Sequence, residues 1–434
     1  MQTEDTNSSM KQKELYIYYL GLIAILVLYT NMHRSPTELF RFGYLAALVL
    51  PILKKEALFP AVLICSLGIS RNTFAFPIMP TELMVYVYLS FMFAFLALQH
   101  PNSHATIHPV FFFALIYVVL IDMVMLSRLS SMALVCLMTI MMYMCLKDTD
   151  AGVEILPVSF IIISLAISYW VLFCPEAQIN EYNRVENSRQ TGWTDPNYLS
   201  AALGIGLVIA VRNLFKGVNN SFYLFGLILT VIGSTISMLM LASRGAITAA
   251  TVSIVSLFVL SNSKRYIKVT VFLLAVLFVI FLYSNQYMDF VISRFETEDG
   301  TANNRTLIWI SKLHDFFLIE NPFNLFFGVG HRMGAELGSV YAFSEKSVST
   351  HNDCISMLLY YGVVGLFLFL YVLFYPVRIC QRKERPYILA LVIYLFVSSF
   401  TIEPLARGKF IHWAFFLYII MEARRTRKNR NLLQ

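Results

Sequence analysis

Ser347-Val348-Ser349-Thr350-His351-Asn352-Asp353 runs straight into an apolar stretch, about 354–374, that contains Tyr361-Gly362-Val363-Val364-Gly365. A long polar segment precedes it. The apolar stretch is close to the ~20 residues that a bilayer-crossing helix needs. A His-Asn pair at the mouth of such a helix is costly to place there without a task. Ionisable residues at membrane depth are rare and are functional candidates by default.

The rest of the chain fixes the solvent around this run. Of 434 residues, 58% are hydrophobic and 14% are charged, and the mean hydropathy is +0.66. A soluble domain carries about 25% charged residues, so most of this chain belongs in lipid. Apolar runs of near-spanning length recur at 15–32, 38–53, 57–70, 82–99, 109–126, 130–146, 155–174, 196–212, 221–241, 245–261, 266–284, 353–374, 387–402 and 408–421. Two of them, 38–53 and 57–70, are short: tilted spans, re-entrant pieces or one broken hairpin. The expectation is an all-α bundle of about 12–14 spans, forming a single integral membrane domain over 1–434. The polar segment before the first run, the length of that run and the lack of a cleavage site after it predict a retained helix rather than a secretory signal.

Lysines and arginines orient the bundle. With the N-terminus in the cytoplasm and every run crossing, about 19 of the 33 fall on the cytoplasmic side, including Arg212, Lys216 and the tail from Arg424 to Arg430. Both termini are then cytoplasmic. The basic tail needs no nucleic acid, because an anchor on anionic lipid accounts for it. Two non-cytoplasmic loops stand apart, a shorter one at 175–195 and a long one at 285–351. The six cysteines are scattered, with no metal-ligand spacing. His100, His104 and His108 are interrupted by Pro101 and Pro109, so no metal is expected.

Within the long loop, Asn303-Asn304 can cap a helix starting near Arg305. Leu307, Ile308, Ile310, Leu313, Phe316 and Phe317 give it an apolar stripe, and Asn321-Pro322 stops it. Such a helix would lie flat on the bilayer. Gly328-Val329-Gly330 then predicts a tight turn before His331-Arg332.

The conspicuous polar residues fall on this same side. Arg244 sits between two apolar runs, Arg305 opens the loop helix, and Arg184 and Arg189 lie in the shorter loop before Thr194-Asp195-Pro196-Asn197. His351 and Asn352 open a later helix, and Glu403, Arg407 and Lys409 lie between the last two runs. Arginines at a dry face suit an anion such as pyrophosphate, held bidentately. Each also has a plainer reading. Arg244 can snorkel to the interface, Arg305 can be solvated, and Arg184 and Arg189 can be ordinary loop charges. Asp195 can be an N-cap before a first-turn proline, and His351 or Asn352 can cap its helix.

In order along the chain, Thr194-Asp195-Pro196-Asn197-Tyr198-Leu199-Ser200, Leu241-Ala242-Ser243-Arg244-Gly245-Ala246, Asn304-Arg305 with Trp309, Phe327-Gly328-Val329-Gly330, and Thr350-His351-Asn352 with Tyr361-Gly362-Val363-Val364-Gly365 resemble the O-antigen polymerase and O-antigen ligase family of bacterial membrane glycosyltransferases. The set covers about 190–366. Tyr360-Tyr361 stands where the family usually carries an acidic residue before the glycine pair.

The resemblance implies a GT-C-like helical enzyme of the bacterial inner membrane, acting at the periplasmic face in lipopolysaccharide biosynthesis. The donor would be a glycan on undecaprenyl diphosphate, with no metal or other cofactor. A polymerase would pass it to another lipid-linked repeat unit, and a ligase to lipid A core. A chain-length regulator is a possible partner by the same analogy. In such a mechanism Arg244 and Arg305 would stabilise the leaving pyrophosphate and His351 would act as general base. Arg184, Arg189, Asp195, Asn197, Asn352, Arg332, Trp309 and Arg407 would bind substrate. The Asp-Pro-Asn-Tyr stretch and the Thr-His-Asn helix favour the polymerase. A transporter or flippase of lipid-linked sugar is a rival of another class, marked by internal repeats and mid-membrane charges. Neither is evident here.

Overall fold

A computed structural model describes residues 109–125, 131–146, 150–173, 177–179, 185–187, 196–261, 305–319, 321–338, 350–406 and 410–431. The described helices are α1 (Pro109–Val124), α2 (Ser131–Leu146), α3 (Asp150–Phe173), α4 (Pro196–Lys216), α5 (Ser221–Met240), α6 (Arg244–Leu260), α7 (Arg305–Leu318), α8 (Pro322–Phe327), α9 (Gly330–Glu336), α10 (Asp353–Ile379), α11 (Arg385–Ser399) and α12 (Phe410–Asn431). Among the described residues, four helices are long and apolar enough to cross a membrane: α3 from Leu156, α4, α5 and α10. The protein is an all-α polytopic membrane protein. Among the described residues, the strands form one small antiparallel hairpin, Ala177–Ile179 with Val185–Asn187, inside the predicted shorter loop. The runs expected at 15–32, 38–53, 57–70, 82–99 and 266–284 lie outside the described residues.

The core is a sheaf in which α4 packs between α3, α5 and α6, while α6 lies along α11 and α10 joins α1, α11 and α12. Close approach comes from small residues. A Cβ on Gly206 would meet the Ser164 side chain, and one on Gly204 would meet the ring of Tyr394. Tyr394 in turn donates its hydroxyl to the Ala201 carbonyl at 2.6 Å. In lipid no water rescues a stranded polar group, so packing and internal hydrogen bonds hold the bundle.

The polar residues are sorted to its two ends. From Asn197 to Arg212, α4 climbs about 22 Å. At the Arg212 end, Arg212 Nη1 donates to the Tyr418 hydroxyl at 2.6 Å and Nη2 pairs with Glu422. Lys216 Nζ lies 2.6 Å from Glu384 and 3.3 Å from Glu422. These groups tie α4, α11 and α12 together at one end of the bundle. At the other end the residues singled out in the sequence gather.

Two glycines determine how the predicted surface segment meets the bundle. Gly328 (φ 82°) ends α8, and Gly362 (φ 67°) kinks α10. A Cβ on Gly328 would lie 2.3 Å from the Tyr360 carbonyl oxygen, and one on Gly362 would lie 2.3 Å from the Phe326 carbonyl oxygen. The two backbones therefore touch, and Val329 N donates to the Leu359 carbonyl at 3.0 Å. The kink frees the Tyr361 carbonyl, which accepts from the Tyr117 hydroxyl at 2.7 Å. The Tyr361 hydroxyl lies 3.4 Å from Asp122, so this tyrosine serves packing.

Helix α7 starts and stops where the sequence predicts, but its faces divide differently from the predicted stripe. Leu307, Ile310 and Phe317 point outward and are exposed, whereas Lys312 and Phe316 are buried. The inward face holds donors as well as apolar carbons. The outward apolar face is the one that suits a bilayer surface.

Ala at Gly328 or Gly362 should lower the detergent melting temperature strongly, since each adds a backbone clash to a left-handed conformation costing about 1–2 kcal/mol. Gly226→Ala, in α5 with open space around it, should leave the melting temperature equal or higher. Equal melting of all three would show that the contact between α8 and α10 is dispensable.

Candidate active site

Several distant segments end on one short loop, 400–406, between α11 and α12. From α4, the Tyr198 hydroxyl donates to the Ile402 carbonyl at 3.3 Å. From the turn into α6, Ser243 Oγ donates to Asn197 Oδ1 at 3.1 Å. Gly245, next to Arg244, lies so close to Thr401 that a Cβ would be 2.5 Å from its side chain. From α7, Arg305 Nη1 donates to the Thr401 carbonyl at 2.5 Å. Arg305 thus touches Thr401 directly, and Arg244 is chain neighbour to the glycine packed on it; both arginines are half-buried.

The Thr350-His351-Asn352-Asp353 run reaches the same loop. The His351 N–H donates to Glu403 Oε2 at 3.1 Å, and Ser356 Oγ donates to Glu403 Oε1. In return Asp353, the first residue of α10, accepts from Leu405 N at 3.1 Å and Ala406 N at 2.7 Å. Glu403 is 2% exposed and Asp353 0%. The loop's carboxylate thus holds the helix start and the helix's carboxylate holds the loop. A hydrogen bond to a charged group contributes about 1.5–3 kcal/mol, and an acidic residue in a first helical turn also suits the helix dipole.

Backbone strain marks the same place. Among the described residues, the non-glycine residues with positive φ are Ala242 (48°), His351 (52°) and Glu403 (59°). One precedes Ser243-Arg244, one is the candidate base and one is its carboxylate partner. Such conformations cost about 1–3 kcal/mol each and persist where the surroundings impose them, often at functional sites.

The remaining candidates separate. Asn352 is the N-cap of α10, its side chain accepting from Ile355 N at 3.1 Å. Trp309 Nε1 donates to the Thr350 carbonyl at 2.6 Å, one residue before His351. Asn197 is half-buried in the first turn of α4. Arg332 lies apart on α9, 77% exposed and 3.7 Å from Glu336. Arg184, Arg189, Asp195, Arg407 and Lys409 lie outside the described residues, as do Asn303 and Asn304.

Residues 226–370 match the family model described as O-antigen ligase. The match spans 145 of the 434 residues and contains Arg244, Arg305, Trp309, His351 and Asn352. The match supports the resemblance read from the ordered motifs over 226–370, and the Thr194–Ser200 stretch lies outside it. Family members are enzymes of the glycosyltransferase or ligase type. No curated protein matches the chain.

Two contributors had roles that sequence could not give. Glu403 stood out there only as an acid between two apolar runs, and Asp353 passes for an ordinary dipole-complementing acid. The hydrogen bonds of each cross about 50 residues of chain and have no local signal. A third, Lys312, stands seven residues after Arg305, a spacing that repeats on one helix face.

Glu403→Ala should cost about 1–3 kcal/mol for each buried donor left unpaired, seen as a lower melting temperature. Glu403→Gln, which keeps an acceptor oxygen, should cost less. If Ala melts with wild type, the carboxylate does not hold the His351 turn.

Proposed function

We propose that this chain is a polymerase. It joins oligosaccharide repeat units carried on undecaprenyl diphosphate into O-antigen or a related surface polysaccharide, without a metal, at the periplasmic face of the inner membrane. The observation that supports it best is the meeting of the Arg244 turn, Arg305 and the His351–Glu403 pair on loop 400–406. Most of these residues fall within the segment that matches the family. An undecaprenyl-linked donor and two half-buried arginines are chemically suited to each other.

In this reading an acceptor hydroxyl attacks the anomeric carbon of the donor. The new bond forms between the acceptor oxygen and the anomeric carbon, and the bond from that carbon to pyrophosphate breaks. Arg244 and Arg305 stabilise the negative charge that grows on the departing pyrophosphate, and fixed charges in a dry site do this without reorganisation. His351 takes the proton from the attacking hydroxyl. Glu403 is a positioning residue: it grips the His351 backbone, and the strained turn directs the imidazole. Trp309 and Asn352 spend their polar groups on protein, so they hold the turn rather than the sugar. Asn197 lies near enough to Ser243-Arg244 to line the substrate path. Arg184, Arg189, Asp195 and Arg407 are proposed to contact pyrophosphate or glycan, and Arg332 the outer part of the glycan.

The ligase is the second reading, favoured by the description of the matching family. Its chemistry is the same and its acceptor is lipid A core. The Asp195-Pro196-Asn197-Tyr198 stretch and the form of the Thr350-His351-Asn352 turn support the polymerase. A chain-length regulator would be a partner of a polymerase.

Purified protein given undecaprenyl-diphosphate-linked repeat units alone, in EDTA, should produce a ladder on a gel. Transfer only after lipid A core is added would make it a ligase. No transfer to either acceptor by folded protein would return the weight to a transporter.

Arg244→Ala and Arg305→Ala should each lower turnover by about 10²–10³, the usual loss when one group stabilising developing charge is removed. His351→Ala should lower kcat more than it raises KM. Full-length polymer at normal rate from both arginine variants would remove the pyrophosphate role.

A further inference from the structure

We propose that Lys312 is a positioning residue for the transfer reaction, its ammonium fastening the end of α9 to α7, the helix whose same face holds the Thr401 and Thr350 carbonyls. The proposal rests on the glycosyl-transfer reading above.

The inward face of α7 carries three donors at i, i+4 and i+7, and each is spent on a different segment. Arg305 takes the Thr401 carbonyl and Trp309 takes the Thr350 carbonyl. Lys312 Nζ lies 2.7 Å from the Leu337 carbonyl, 2.9 Å from that of Ala335 and 3.4 Å from that of Gly334. These are carbonyls at the C-terminal end of α9, where a helix leaves its acceptors unsatisfied and a cation suits its dipole. Asp315 completes the grip by accepting from Gly338 N at 2.8 Å. One helix face therefore fixes the loop at Thr401, the His351 turn and the segment after the Gly328-Val329-Gly330 turn.

Lys312 is 1% exposed. Lysines are almost never fully buried unless paired, and packing alone would be met by an aliphatic residue. Three carbonyls converging on one Nζ need a donor there. Burial pulls its pKa below the ordinary lysine value, while Glu403 on the loop and Asp315 on its own helix favour the ammonium. On α9, Arg332 and Glu336 pair with each other at the exposed surface, and His331 stacks on Tyr360 at 4.9 Å. On α10, Asp353 faces the loop. The folded pKa is depressed for a base, so the clamp is present below that depressed value and is lost as pH rises through it.

The test uses full-length protein with undecaprenyl-diphosphate-linked repeat units, with and without lipid A core, over a pH series from neutral to alkaline. Wild type should lose kcat on the alkaline side. Lys312→Met should lower kcat at neutral pH by about tenfold or more, as small misplacements of catalytic groups do, with KM little changed. Lys312→Arg keeps a donor that does not titrate, so it should restore most of kcat and move the alkaline loss to higher pH. A Lys312→Met enzyme with wild-type kcat and pH profile overturns the proposal. So does an alkaline loss that Lys312→Arg leaves in place, which decides the matter even if the Met variant does not fold. Amide exchange of 330–338 gives a readout independent of activity: protection should fall in the Met variant and persist to higher pH in the Arg variant. If wild type transfers to neither acceptor but exchange behaves so, the functional reading fails and the clamp stands. Unchanged protection in the Met variant overturns the clamp.

Discussion

The site end of this protein depends on an exchange of carboxylates. Glu403 in the loop accepts from the start of α10, and Asp353 at the start of α10 accepts from the loop. Neither segment could hold its shape alone. The loop must place Glu403 at φ 59° and the helix entry must place His351 at φ 52°, conformations that side chains with a Cβ resist. Each carboxylate satisfies backbone N–H groups that lipid or packed protein would leave stranded. The strain at one residue is thus offset by hydrogen bonds donated to the other segment's acid. The imidazole direction, the loop path and the α10 entry form one cooperative unit.

That unit is fastened to the bundle by backbone contacts of a different kind. Gly328 and Gly362 let two chains approach until carbonyl and Cα touch. The Phe327-Gly328-Val329-Gly330 and Tyr361-Gly362 motifs are therefore joints between the segment after α7 and α10. The same logic separates the two ends of α4. At one end Arg212 and Lys216 are tied to Glu422 and Glu384 in a closed set of ion pairs. At the other, Arg244 and Arg305 flank a backbone turn. Buried ion pairs are weak evidence of stability gain. Their use at the Arg212 end is to fix which helices meet there, so that the opposite ends of the same helices arrive together.

Much of the architecture was legible because lipid allows so few solutions. Apolar runs of spanning length at 109–126, 221–241 and 353–374 could hardly be anything but helices, and Asn321-Pro322 had to stop α7. The grouping of Arg244, Arg305 and His351 at one end followed from counting crossings. Partners were not legible. Whether Asn352 binds sugar or caps a helix depends on where its oxygen points, and it points to Ile355 N. The apolar residues of α7 were visible, but periodicity does not say which stripe faces protein. The buried stripe proved to be the one with Lys312, because three carbonyls waited for it. Arg332 and Arg305 look alike in sequence, yet one is a surface pair with Glu336 and the other is half-buried against Thr401.

Two cations on one helix face hold two different segments by different chemistry. Arg305 gives an N–H to the Thr401 carbonyl. A guanidinium is a rigid plane that keeps its charge at any relevant pH, so a bond to one carbonyl fixes the orientation of the whole group. Lys312 carries a compact ammonium on a flexible stem, and it gathers the carbonyls of Gly334, Ala335 and Leu337 at the end of α9. A planar donor orients a single acceptor, and a point charge collects several whose directions converge. The sequence of α7 places each cation opposite the segment that its geometry suits.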